Sequence, residues 1–159
     1  MPNAIEFETM PIKMVDGVST AVHDMAHYGG HQWSNDRYLF VDASNEGTGI
    51  TFNLPISTTA RYALDLYLTR YFDFGILQLT LDGKKYGALI DLYAPQATPT
   101  GRIPLGGFDL SAGTHELGFR VVGKNPASTK YSFGLDCLTL TPSPTVASAS
   151  AIPPNFRLP

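Results

Sequence analysis

Along most of this chain apolar residues fall at every second position, and no segment longer than a few residues holds a 3.6-residue period. Ile50, Phe52 and Leu54 alternate with Thr51 and Asn53. Tyr62, Leu64, Leu66 and Leu68 alternate with Ala63, Asp65 and Tyr67. Leu77, Leu79 and Leu81 alternate with Gln78 and Thr80, and Leu117, Phe119 and Val121 with Gly118 and Arg120. Side chains on a strand point to opposite faces in turn, so each run has one dry and one wet face. Strands of that kind build antiparallel sheets with one face solvated. Asp82-Gly83 is a tight-hairpin signal between residues 75–81 and 85–92. Ser111 to Thr114 reads as another turn, Lys124 to Ser128 as a polar loop, and Pro95 to Pro104 as a crossover between sheets. About nine or ten strands result, the number of an all-β jelly-roll sandwich of two antiparallel sheets.

With 159 residues the expectation is a single domain with a proper core. Two regions are distinguished: a β-sandwich over 1–141 and a Pro/Ser-rich tail over 142–159. The tail is expected to dock on the domain or on a neighbouring subunit, with Phe156 and Leu158 as anchors. Charged residues are 16 % of the chain, and Ser, Thr, Asn and Gly do much of the solvating. A net charge of −3 gives no reason to expect nucleic acid, and Arg61, Arg70, Lys84 and Lys85 are too dispersed for a basic binding face. No apolar run is long enough to cross a membrane as a helix, and no signal peptide shows at Met1-Pro2-Asn3. The lone Cys137 excludes an internal disulfide and reads as a buried, inert thiol.

The first strand, Ile5-Glu6-Phe7-Glu8, puts two carboxylates on one strand face, and Asp136 lies in the last strand. If first and last strands are neighbours, Glu6, Glu8 and Asp136 converge and need a cation or water. His23, His27 and His31 are spaced by four, but Gly29-Gly30 breaks a helix there. On a strand such residues lie about 13 Å apart, too far for common ligation. A polar strand and loop is the better reading, with a transition-metal site as a minor one. Asp65, Asp73, Asp91 and Asp109 form no pair recognisable as glycoside-hydrolysing carboxylates. No Gly-x-Ser-x-Gly elbow is present, and Gly106-Gly107 lacks the helix and Lys of a phosphate loop.

The Ile-Glu-x-Glu opening and the closing Leu-Asp-x-Leu resemble galactose-binding-like sandwiches, the non-catalytic carbohydrate-binding modules of families 6 and 35 attached to bacterial glycosidases. Gln32–Ser34, Phe74–Gly83, Asp91–Pro95 and Gly123–Ala127 carry the rest of the resemblance. It implies a structural calcium held by Glu6, Glu8 and Asp136, with loop carbonyls from a source the sequence does not identify. Calcium takes six to eight oxygens, which suits carboxylates. The alternative is that a glutamate is merely solvated and Asp136 accepts backbone hydrogen bonds. The resemblance further implies a polysaccharide or glycan partner, no catalysis, and an extracellular (secreted) setting. Binding loops collect at one end of such sandwiches, which points to Trp33, Tyr71, Asp73, Lys124 and Asn125. A flat apolar ring for the C–H face of a pyranose, beside polar groups for its hydroxyls, is what sugar recognition requires. A core plug is the competing reading of Trp33, and core packing is favoured for Phe72 and Phe74. The alternative function is a self-assembling structural jelly roll, a homo-oligomer or filament joined through the tail.

Overall fold

The computed structural model describes residues 4–28 and 31–142. Eleven strands follow one another: β1 (Ile5–Glu6), β2 (Ile12–Asp16), β3 (Val18–Asp24), β4 (Arg37–Ala43), β5 (Gly49–Ile56), β6 (Ala60–Arg70), β7 (Ile76–Leu81), β8 (Lys84–Asp91), β9 (Thr98–Leu110), β10 (Gly113–Gly123) and β11 (Phe133–Pro142). Short 3-10 turns are the only helical elements among the described residues. One sheet runs β3-β4-β11-β6-β9, with β1 added on β11, and the other runs β2-β5-β10-β7-β8. Neighbouring strands pair antiparallel in both. The expected two-sheet, all-β sandwich is observed. The tail's docking through Phe156 and Leu158 lies outside the described residues.

The alternating runs turn their apolar phase inward. Ile50, Phe52 and Leu54 of β5, Leu64, Leu66 and Leu68 of β6, Leu77 and Leu79 of β7, and Leu117, Phe119 and Val121 of β10 are all buried in one core. Phe7, Phe52 and Phe119 form an aromatic knot, with Phe7 at 5.2 Å from Phe52 and 5.5 Å from Phe119. The Asp82-Gly83 turn has φ of 50° and 83°, so both central residues are left-handed, as a type I′ hairpin needs. It pairs Leu81 with Lys84.

The crossover expected at Pro95–Pro104 ends sooner. Thr98 onward is strand, and β9 carries Pro99 and Pro104 while pairing with β6. Proline is tolerated because β9 is an edge strand, where a missing N–H leaves no ladder bond unmade, and its pairing shifts register twice. Gly134 of β11 is fixed by close approach: a Cβ there would lie 2.7 Å from Tyr38 and 2.9 Å from Thr69. Gly134→Ala is expected to cost about 1–3 kcal/mol through overpacking, read as a lower midpoint in urea with unchanged slope.

Candidate functional site

The first and last strands are neighbours: Ile5 pairs with Leu138 and Glu6 with Cys137. β4 occupies the same side of β11 further up, where Leu135 pairs with Leu39. Asp136 falls in the gap between the two, at a register shift of β11 against β6. A bulge of this kind re-aims a side chain. Both glutamates were expected on one strand face, but the strand stops at Glu6. Phe7–Thr9 is a 3-10 turn that drops Phe7 into the core and carries Glu8 round with it. The carboxylates still converge, by the turn rather than by strand alternation.

The loop at residues 31–36 closes over them. Ser34 donates its hydroxyl to Glu6 Oε2 (2.5 Å) and its backbone N–H to Asp136 Oδ2 (3.1 Å). Glu6 Oε1, both Glu8 oxygens and Asp136 Oδ1 are buried with no hydrogen-bond partner. Burial pushes the Asp136 carboxyl up to about 7; the Ser34 N–H counteracts, and the charges of Glu6 and Glu8 add to the rise. Glu8 is raised as well, by burial first and by Glu6 among lesser causes, with Arg37 opposing. Cys137, buried beside them, is pushed up to about 12 and is an inert thiol. Orphaned carboxylate oxygens are the kind of donor that a hard cation such as calcium takes. Among the described residues no group of three His, Cys, Asp or Glu side chains is placed to hold a metal ion.

At the end of the sandwich where β11 begins, three loops are tied into one rim. Tyr71 N–H donates to Leu92 O (3.0 Å), Gly75 N–H to Ser132 O (2.7 Å), Leu92 N–H to Gly75 O (3.1 Å) and Thr129 N–H to Phe72 O (3.3 Å). Tyr71, Asp73, Lys124 and Asn125 all lie on this rim. Tyr71 is half-buried, edge-on to Phe72, which is 42 % exposed. Phe74 is buried as expected, whereas Phe72 was not foreseen at the surface. Asp73 is half-buried with Oδ1 unpartnered; burial raises its pKa, while a backbone N–H and the Lys130 charge oppose. Lys124 Nζ donates to Ser128 O (3.0 Å) and lies 5.9 Å from the Tyr131 ring centre. Asn125 Nδ2 donates to Asp91 Oδ2 (3.0 Å).

Trp33 does not join them as an exposed ring. It is 2 % exposed, and its indole N–H donates to Thr69 Oγ1 (2.9 Å) beneath the 31–36 loop. His31 parts from the other two histidines. His23 stacks on Phe40 (4.6 Å between ring centres) and, with His27, Tyr38 and Tyr71, lines a pocket of about 320 Å³. His31 pairs with Asp36 (3.0 Å) and lines a different cleft of about 700 Å³. Burial lowers the His23 pKa, with the Asp73 charge opposing.

The architecture matches a Paenibacillus xanthan lyase structure with TM-score 0.74 and 21 % identity, over 90 % of this chain. It also matches the family 35 carbohydrate-binding module from Clostridium thermocellum (TM-score 0.55, 13 % identity), over 89 % of this chain and 99 % of that one. The chain shares its two-sheet β-sandwich fold with that module. A Podospora anserina GH26-CBM35 β-(1,4)-mannanase aligns too, with TM-score 0.57 and 18 % identity over 88 % of this chain. The domain spans 13 % of the lyase chain and 27 % of the mannanase chain. No family profile matches the sequence, and no curated protein does.

Proposed function

We propose that this domain is a non-catalytic carbohydrate-binding module that holds a glycan outside the cell at its loop rim. The observation that carries the reading is the rim itself. Backbone bonds hold the loops of residues 71–75, 92–97 and 124–132 together, and a half-exposed Tyr71–Phe72 pair lies among Asp73, Lys124 and Asn125. The pocket of about 320 Å³ under Tyr71 adds the Tyr38 hydroxyl and the His23 ring. An apolar ring beside a few fixed polar groups is how a pyranose is oriented. A shallow rim buries little area, so each site binds weakly and serves by keeping an attached partner near its polysaccharide. Full-length fold likeness to an isolated family 35 module supports the reading.

Glu6, Glu8 and Asp136 would hold a structural calcium, joining the first strand to the last under the lid of residues 31–36. Calcium there supplies charge neutralisation and oxygen ligation; the three carboxylates and Ser34 orient the loop around it. The self-assembly reading rests on the tail, outside the described residues.

Polysaccharide depletion and calorimetry with soluble oligosaccharides test the rim. Tyr71→Ala and Asn125→Ala should each weaken glycan binding by about tenfold, roughly the effect of one stacked ring or one hydrogen bond to ligand, with the thermal midpoint little changed for Asn125→Ala. Unchanged binding in both variants removes the rim from the site. Absence of binding to any glycan removes the module reading.

A further inference from the structure

The cleft of about 700 Å³ that His31 lines is larger than the Tyr71 pocket of about 320 Å³, and the rim does not use it. It lies between the 31–36 loop and the Pro99–Gly101 stretch of edge strand β9, on the outer face of the β1-containing sheet. Its size is within the range of sites that enclose small molecules. Tyr67 forms part of its lining. That residue lies on the outward phase of β6, half-exposed, between the inward Leu66 and Leu68.

Gln32, Asn35, Asp36, Thr100 and Asp136 join Tyr67 in the lining, and no Lys or Arg does. Asp36 takes up His31 (3.0 Å) at the mouth of the cleft, and Gln32, Asn35 and Thr100 lie beside it. The cleft is therefore rich in hydrogen-bonding groups and offers no guanidinium or ammonium. Such a site rejects phosphates, sulfates and uronates, which need cations opposite them. An apolar ligand is excluded in turn, because it would strip water from Asn35 and Asp36 and return no hydrogen bond. What remains is a ligand dense in hydroxyl donors with an apolar C–H face for the Tyr67 ring.

The wall is already in place. Ser34 is clamped to Glu6 and Asp136, Trp33 to Thr69, and Met25 N–H donates to Asp36 O (2.7 Å). His31, Asn35 and Asp36 have φ of 49°, 58° and 53°, and these are residue types that accept the left-handed region. A wall that does not have to be ordered on binding keeps more of the interaction energy as affinity.

We propose that this cleft is a second glycan site, separate from the loop rim, and that it takes a neutral oligosaccharide. The proposal rests on the reading of the domain as a carbohydrate binder, and the test separates the two. The ¹⁵N-labelled full chain is titrated with cellohexaose, laminarihexaose and mannohexaose, and with an oligogalacturonate. A neutral hexasaccharide should shift the amides of Ser34, Asp36, Thr100 and Gly101. Tyr67→Ala should raise the dissociation constant of that response by about tenfold and leave the response of the Tyr71 loop in place. Shifts confined to residues 71–75 and 124–132 would overturn the second site and keep the module. Stronger shifts with the oligogalacturonate at the cleft would overturn the ligand class. No shift with any sugar would overturn both. Should Tyr67→Ala fold poorly, the map on the unaltered chain and the exposed Gln32→Ala variant decide the matter.

Discussion

Stripped of divalent cations, the protein should be less stable at pH 8 than at pH 4.5, by on the order of 2–4 kcal/mol. The cause is Asp136, whose carboxyl is raised from 3.8 to about 7 in the fold. A raised carboxyl holds its proton more tightly folded than unfolded. Its contribution is complete below the unfolded pKa near 4 and is lost as pH climbs through about 7. At about 1.4 kcal/mol for each tenfold change in proton affinity, that rise sets an upper bound of about 4 kcal/mol. Glu8, also raised, acts in the same direction. His115 does so too, held up by Asp82 and the Ser111 carbonyl, while His23, lowered by burial, acts against it. Asp136→Asn isolates the wanted part. Asparagine still accepts the Ser34 N–H but removes the buried charge, so the cation-free variant should exceed the parent at pH 8 and show a flatter pH profile. Urea unfolding with chelator across this range reads it. Adding calcium should restore the parent at pH 8 and leave Asp136→Asn nearly unmoved, with about 2.7 kcal/mol expected at a hundredfold excess over the dissociation constant. A parent whose chelated stability rises from pH 5 to pH 8 would show that the three carboxylates do not share one desolvated site.

Trp33→Ala should cost about 3–5 kcal/mol, the range for emptying a buried large aromatic position. The ring is 2 % exposed and packs near Tyr38, with its N–H on Thr69 Oγ1. Losing it leaves Thr69, itself fully buried, without that donor and loosens the lid over Glu6 and Asp136. The loss is a large part of the 5–15 kcal/mol typical of a domain. Any drop in glycan binding by this variant must therefore be read against its thermal midpoint. Trp33→Phe keeps most of the volume and drops only the N–H, and should cost about 1–2 kcal/mol. An alanine variant within about 0.5 kcal/mol of the parent would mean that the indole is a surface group after all.

The strands were legible because each carries its own periodic signal. Ile50–Leu54, Tyr62–Leu68 and Leu117–Val121 each have a dry phase, and each turns it into the core. The neighbouring of β1 and β11 was legible from the matched acidic motifs at the two ends. What the residues could not tell was how the acids converge. Glu6-Phe7-Glu8 has strand alternation, yet the burial of Phe7 between Phe52 and Phe119 draws the chain into a 3-10 turn. Tertiary packing overrode a local period. Ser34 as clamp was out of reach, because a serine in a polar loop has no pattern to mark it. Trp33 carried two readings, since aromatic rings serve cores and sugar platforms alike. Tyr67 had a signal that went unused: an aromatic on the wet phase of a strand whose other phase is leucine.

Antiparallel pairing of Ile5 with Leu138 has a geometric corollary. The polypeptide enters and departs at one pole, since β11 begins at Phe133 beside the 124–132 loop and runs away from it to Pro142. Both ends of the described sandwich thus open away from the pole that carries Tyr71 and Asn125.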